Sequence, residues 1–260
     1  LNSSDGAIKK IISVAEDGSF MDTLSLKAQK YILYDGTNKT NVYADVGNII
    51  NISYNSLDFE NTLTISGPGS EISNYLNAVV KSENKLRGEG TSVYLLDEGE
   101  YKAKFNEIKT ASEEILASTK GISEEYKVKE LRNIKYSYLG QLNIYERYHA
   151  HYAKQPEFKI SEGFLNELKD LTYDIEEDFI FSESYKEIVD THFLKEAAKL
   201  AEKDSIDEDI AFLKVVATIP NETIKNTLLI DNAKYTVTYT EDVETFYKLF
   251  MAASTNEENN

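Results

Sequence analysis

The stretch Ser123–Lys154, SEEYKVKELRNIKYSYLGQLNIYERYHAHYAK, is the longest unbroken helical pattern in the chain. Leu131, Ile134, Tyr138, Leu142, Tyr145, His149 and Tyr152 recur every three or four residues, which puts them on one face. Ser123 is a good helix start because its hydroxyl can accept from the free amides of the first turn, and Glu124 and Glu125 suit the positive end of the dipole. Pro156 closes the segment. A helix of this length offers a face on which several others can pack.

Going outward from it, the two sides read differently. Before Gly67 the chain reads as short strands. Residues 8–14, 20–26, 31–34, 41–44, 48–54 and 62–66 are β-rich or alternating, and Asp17-Gly18, Asp35-Gly36 with Asn38, and Asp45-Val46-Gly47 turn between them. Five or six strands with turns this close predict a small antiparallel sandwich or sheet. Gly67-Pro68-Gly69 punctuates the chain, and nearly everything beyond is helical. Helices are predicted over 70–80, 98–118 behind Asp97, 123–154, from Ser161 with Phe164, Leu165, Leu168 and Leu171, then 182–203, 207–217, 221–229 and 240–251. Residues 82–92 and 174–178 read as connections, 231–235 as a loop or an irregular extension of the helix before it, and the tail from Ser254 as a polar end. The expected architecture is α+β: a small antiparallel β-sandwich-like domain over residues 1–68, then an α-helical domain over 69–260.

Composition narrows the function classes. The 260 residues carry 45 acidic and 28 basic side chains, a formal charge of −17, which repels phosphate backbones and anionic lipid. No nucleic-acid partner is expected, and the charge also serves plain solubility. The chain has no cysteine, so it offers no thiolate nucleophile and no cysteine-held metal. No apolar run reaches the ~18 residues that span a bilayer. Neither an initiator methionine nor a signal segment stands at Leu1, as expected of a trimmed product.

The search for chemistry is thin. His149 and His151 lie two apart and point to different helical faces, and His192 is remote, so no metal site is expected. The acids at 174–178 and 204–209 lack the spacing and central glycine of a calcium loop, and fit helix starts instead. No nucleophile, zinc or phosphate-loop motif occurs, and no cofactor or catalytic residue is expected. A hydrolase using two of the acids would need them paired in one cleft. The sequons at Asn38, Asn51 and Asn221 matter only in a eukaryotic secretory route. What stands out is tyrosine: 18, with no tryptophan. Tyr138, Tyr145, Tyr148 and Tyr152 are the candidate binding residues. Two readings of them stand side by side. They line a groove for a sugar or peptide, or they fill a helix-sheet interface with large amphipathic side chains.

The order of features in the first part of the chain resembles a known arrangement. Asp17, Gly18 and Phe20, then Gly47, then Gly67 and Gly69, then Asn74, Tyr75 and Leu76 follow the pattern of the domain that precedes the thioredoxin-like module in TlpA/ResA-like thiol-disulfide oxidoreductases of Bacteroidota-type cell envelopes. The closing ETFYKLFMAAST is similar to the region that leads into that module. The C-x-x-C of the module is absent, so no catalytic residue carries over. The resemblance implies a non-catalytic accessory or interaction region in the periplasm or cell envelope. Its partner would be a protein client or a downstream thioredoxin-like module, and its peripheral anchorage a lipid on residues ahead of Leu1. The alternative is a stand-alone envelope module that binds a glycan or peptide. Oligomeric state stays open in both.

The stripe gives a direct test. Leu142→Ala is expected to cost about 2–5 kcal/mol if that face is core. Chemical denaturation measures it, and a loss below ~0.5 kcal/mol would mark the face as exposed.

Overall fold

The stripe does form one helix. The computed structural model describes residues 1–3, 9–25 and 27–255. Ile8, Leu26 and the tail beyond Thr255, on which parts of the expected strands and end fall, lie outside the described residues. Five strands are present among them: β1 (Asn2–Ser3), β2 (Gln29–Tyr34), β3 (Lys39–Ala44), β4 (Asn51–Ser53) and β5 (Thr64–Ser66). The helices are α1 (Phe59–Thr62), α2 (Glu71–Arg87), α3 (Glu98–Ser118), α4 (Glu124–Tyr152), α5 (Glu176–Phe181), α6 (Glu183–Asp204), α7 (Glu208–Val216), α8 (Glu222–Thr236) and α9 (Val243–Ala253). The chain is α+β with helix in the majority. The strands form two small antiparallel sheets, ordered β1-β2-β3 and β4-β5, and these do not show a sandwich. The runs expected at 8–14 and 20–26 reach only isolated bridges, Asn2 to Lys9 and Val14 to Phe20, because most of their side chains face solvent.

Two compact units form. One comprises Leu1–Val93 and Ala103–Lys127, the other Tyr94–Lys102 and Val128–Asn260. In the first, β2 and β3 pair in register from Gln29 opposite Ala44 to Tyr34 opposite Lys39. The outer edge of β3 is closed by side chains of α2. Asn77 accepts from Asn41 N at 3.1 Å and donates to Asn41 O at 2.8 Å, while Ser73 Oγ accepts from Tyr43 N at 2.9 Å. Asn74, also on α2, donates to Ile65 O of β5 at 3.0 Å. A helix thus supplies the hydrogen bonds that a further strand would otherwise make. Gly67 and Gly69 take positive φ just ahead of it, and a Cβ on either would collide with Ile49 O or with the Asn48 side chain.

In the second unit the helix starts follow the expected chemistry. Asp97 and Glu100 form a reciprocal box at the head of α3, Asp97 Oδ1 accepting from Glu100 N at 2.8 Å. Ser182, Asn221 and Asp242 cap α6, α8 and α9 through their side chains. On α4, Ile134, Leu142, Tyr145 and His149 are buried, Tyr138 and Tyr152 half-buried, and Leu131 exposed. Tyr136 and Leu139 are buried too, so the inward surface is broader than a single stripe. Several boundaries differ from the sequence expectation. Residues 82–87 continue α2 and 176–181 form α5, while of the two readings of 231–235 the extension holds, as regular helix in α8. The helix expected from Ser161 is a 3-10 turn at Asn166–Leu168, with Gly163 at φ 90° breaking the run.

One buried carboxylate ties α5 to α4. Asp178 accepts from Arg132 Nε at 2.7 Å and from the Tyr136 hydroxyl at 2.6 Å. Ser182, at the head of α6, donates to Asn133 of α4 at 2.7 Å. Burial, then the hydrogen bond to Asp178, holds the Tyr136 phenol above its ordinary ionisation range. Removing one member of such a set leaves the others desolvated and unpaired. Asp178→Ala is expected to destabilise the protein by about 3 kcal/mol, the low end for a buried pair, because Arg132 keeps partial solvent access. Urea unfolding measures it.

Candidate functional site

The candidate tyrosines lie on the second half of α4, and the structure separates them. Tyr145 has no exposed surface and its hydroxyl donates to Leu96 O at 2.8 Å. Around it stand Tyr101 at 4.3 Å between ring centroids, Phe164 at 5.1 Å, His149 at 5.1 Å and Phe158 at 5.8 Å. Tyr145 is an interior residue, so the groove reading does not apply to it. Tyr138 is half-buried beside Glu167, which is itself held by Lys102 at 3.0 Å. Burial, then Glu167, raises the Tyr138 phenol above its usual range.

Tyr148 and Tyr152 are half-buried as well, 6.0 Å apart with ring planes 30° from parallel. Behind them sits Tyr94, which sequence reasoning missed. It stacks on Tyr148 at 4.8 Å and on Tyr152 at 5.4 Å. Tyr94 belongs to a short 3-10 turn, Ser92–Leu95, between two helical patterns, and its only signal in sequence is being aromatic just before the Asp97 cap. The Arg147 guanidinium lies over Tyr148 at 5.1 Å from the ring centroid. The result is a ledge of two tyrosines backed by a third, with the Arg147 cation over Tyr148 and the exposed His151 edge-on to Tyr152.

The connection that follows α4 is fastened to α4 and to the start of α3. Glu146 accepts from Ile160 N at 3.3 Å and pairs with Lys159 at 2.9 Å. Glu98, at the start of α3, accepts from Ser161 N at 2.6 Å and also from the Ser161 hydroxyl. Lys102 lies over the Phe164 ring at 4.7 Å. His149 Nδ1 is enclosed here without a hydrogen-bond partner among the described residues.

Chemically the ledge is suited to contact. Phenol rings bury apolar area at small entropic cost and keep a polar tip. Among the described residues no group of three or more His, Cys, Asp or Glu is placed to hold a metal ion. The acids at 176–178 are spent on neighbours: Glu176 on Asn221 and Thr223, Glu177 and Asp178 on Arg132. Among the described residues no helix is long and apolar enough to cross a membrane. No protein-family model, curated protein or solved structure matches this chain.

Burial, with Glu98, Asp97 and Glu100 adding to it, pushes the Tyr145 phenol up to about 12, against about 10 for a free tyrosine. A folded value above the unfolded one means stability that is complete below pH ~10 and is lost as pH rises through about 12. Alkaline titration of phenolate absorbance, with the Tyr145→Phe variant as reference, is expected to show one late-ionising group missing in the variant.

Proposed function

We propose that this chain is a non-catalytic binding module whose working surface is the Tyr148–Tyr152 ledge, and that its ligand is a glycan or an extended peptide. The observation that carries the reading is the split of the tyrosines. Tyr145 and Tyr101 are sealed inside, while Tyr148 and Tyr152 stay half open on a fixed Tyr94 backing. Rings already held by stacking lose little further freedom when a ligand covers them, so contact made there is retained as affinity. Sugars and peptides both present apolar faces edged with hydrogen-bonding groups, which is what a phenol with its hydroxyl, flanked by a guanidinium, receives.

A second reading places the module in context: an accessory region of a TlpA-like thiol-disulfide oxidoreductase in the periplasm or cell envelope, with a protein client or a downstream thioredoxin-like module as partner. What supports it is the work done by the residues of the resemblance. Gly67 and Gly69 make turns that no side chain fits, Asn74 ties α2 to β5, and Tyr75 is buried. These are structural roles, as expected where a domain supports chemistry located elsewhere.

Glycan and peptide arrays probed with the protein test the first reading. The double variant Tyr148→Ala, Tyr152→Ala is expected to lose about tenfold or more in affinity, as when anchoring aromatics are truncated, while Tyr145→Phe leaves binding unchanged. Absence of any binder, or binding indifferent to the double variant, would sink it. The intact mass of the natural protein tests the second: added sequence holding a C-x-x-C is the supporting result.

A further inference from the structure

The connection from Ala153 to Ile175 has, besides turns, only the three-residue 3-10 segment at Asn166–Leu168. Its last part is fastened to α6 at two points. The Tyr185 hydroxyl donates to Thr172 O at 2.7 Å and accepts from Ile175 N at 3.3 Å. Between them the His192 imidazole lies flat on the Tyr173 ring, centroids 3.7 Å apart and planes within 6° of parallel. Phe193 meets the imidazole edge-on at 5.0 Å. One titratable ring is therefore half of a clasp.

Burial and two lysines disfavour a proton on that ring, against the pull of Glu196 and of the Tyr173 ring face. The charges that act on it are Glu196, Lys199 and Lys195, all on α6. Glu196, the one carboxylate of the three, is already paired with Lys199 at 2.7 Å. From the connection the group that faces it is the Tyr173 phenol, while the neighbouring Asp174 acts on Tyr185. On α4, Glu146 acts on Lys195 and Asn143 accepts from it at 2.9 Å. The α5 carboxylates are engaged by Asn221, Thr223, Arg132, Lys129 and Tyr136.

We propose that Leu171–Ile175 is a pH-sensitive strap, closed while His192 is neutral on Tyr173 and released when the imidazole takes up a proton. Burial holds His192 below the ordinary histidine range; Glu196 opposes this, and Lys199 and Lys195 add to it. The sign follows: the folded state prefers the neutral ring, so the clasp is whole above pH ~6.5 and weakens as pH falls below it. Histidine is the side chain whose ordinary range makes this a switch under mild acidification. The strap continues the same connection that carries Phe158 and Phe164 against Tyr145, and Glu167 beside Tyr138.

Hydrogen exchange read by mass spectrometry on the intact protein, at about pH 5 and about pH 7.5 and corrected for intrinsic rates, tests the strap. The wild type is expected to exchange the amides of residues 171–175 about threefold faster or more at the lower pH, with α4 unchanged, as for a local opening. His192→Phe keeps a flat ring that cannot be protonated and is expected to abolish the difference; His192→Asn serves if the phenylalanine does not fold. Equal exchange in the wild type at both pH values, or the same loosening in the variants, would overturn the proposal. So would a histidine resonance of His192 titrating at or above pH ~6.5. None of these readouts uses a ligand, so failure of the ledge to bind a glycan or peptide leaves them standing, and their failure leaves the ledge.

Discussion

A buried phenol needs an acceptor, and that requirement shapes this protein more than any other. A hydroxyl enclosed without a partner costs on the order of 1–3 kcal/mol, a large share of a domain's stability. With 18 tyrosines and no tryptophan, the chain meets the demand repeatedly. The solutions are alike. Tyr31 donates to Lys27 O, Tyr145 to Leu96 O and Tyr185 to Thr172 O, each acceptor in a connection and not in a helix or strand. Tyr136 ends on the Asp178 carboxylate. The rings fill the interior, and their tips fix the connections. A phenylalanine core of the same volume would pack as well and leave those segments loose.

The same economy appears at the sheets. Short strands expose amides that invite another chain. Ser73, Asn74 and Asn77 answer them from one helical face, at spacings of one, three and four residues. An asparagine amide offers a donor and an acceptor side by side, as a strand's backbone does, so Asn77 can substitute for one. Strand-rich sequence here stays in small sheets because a helix completes their hydrogen bonds.

Much of the helical part was legible and the reasons are local. The starts at Asp97, Ser123 and Ser182 rest on side-chain chemistry confined to one turn, and a 3.6-residue period survives any tertiary context. Where the reading missed, longer-range effects decided. Residues 82–87 look like a loop because they are polar, but a solvated helix is polar too. Leu165, Leu168 and Leu171 keep helical spacing, yet Gly163 turns the chain and tertiary bonds from Glu98 and Glu146 hold it open. The candidate site was half visible. Periodicity put the tyrosines on α4, but only three-dimensional packing shows that Tyr145 is sealed, that Tyr148 and Tyr152 are not, and that Tyr94 backs them.

The turn before α2 reaches beyond this one chain. At Gly67 and Gly69 the backbone conformation and the approach of Ile49 and Asn48 admit no side chain, and six and ten residues after Gly67, Ser73 and Asn77 must present small polar groups to reach β3. These are demands of geometry, so they outlast drift in the rest of the sequence. Two glycines one residue apart, followed at fixed offsets by a hydroxyl and an amide, form a fingerprint. Distant kin whose overall similarity has faded would still have to carry it.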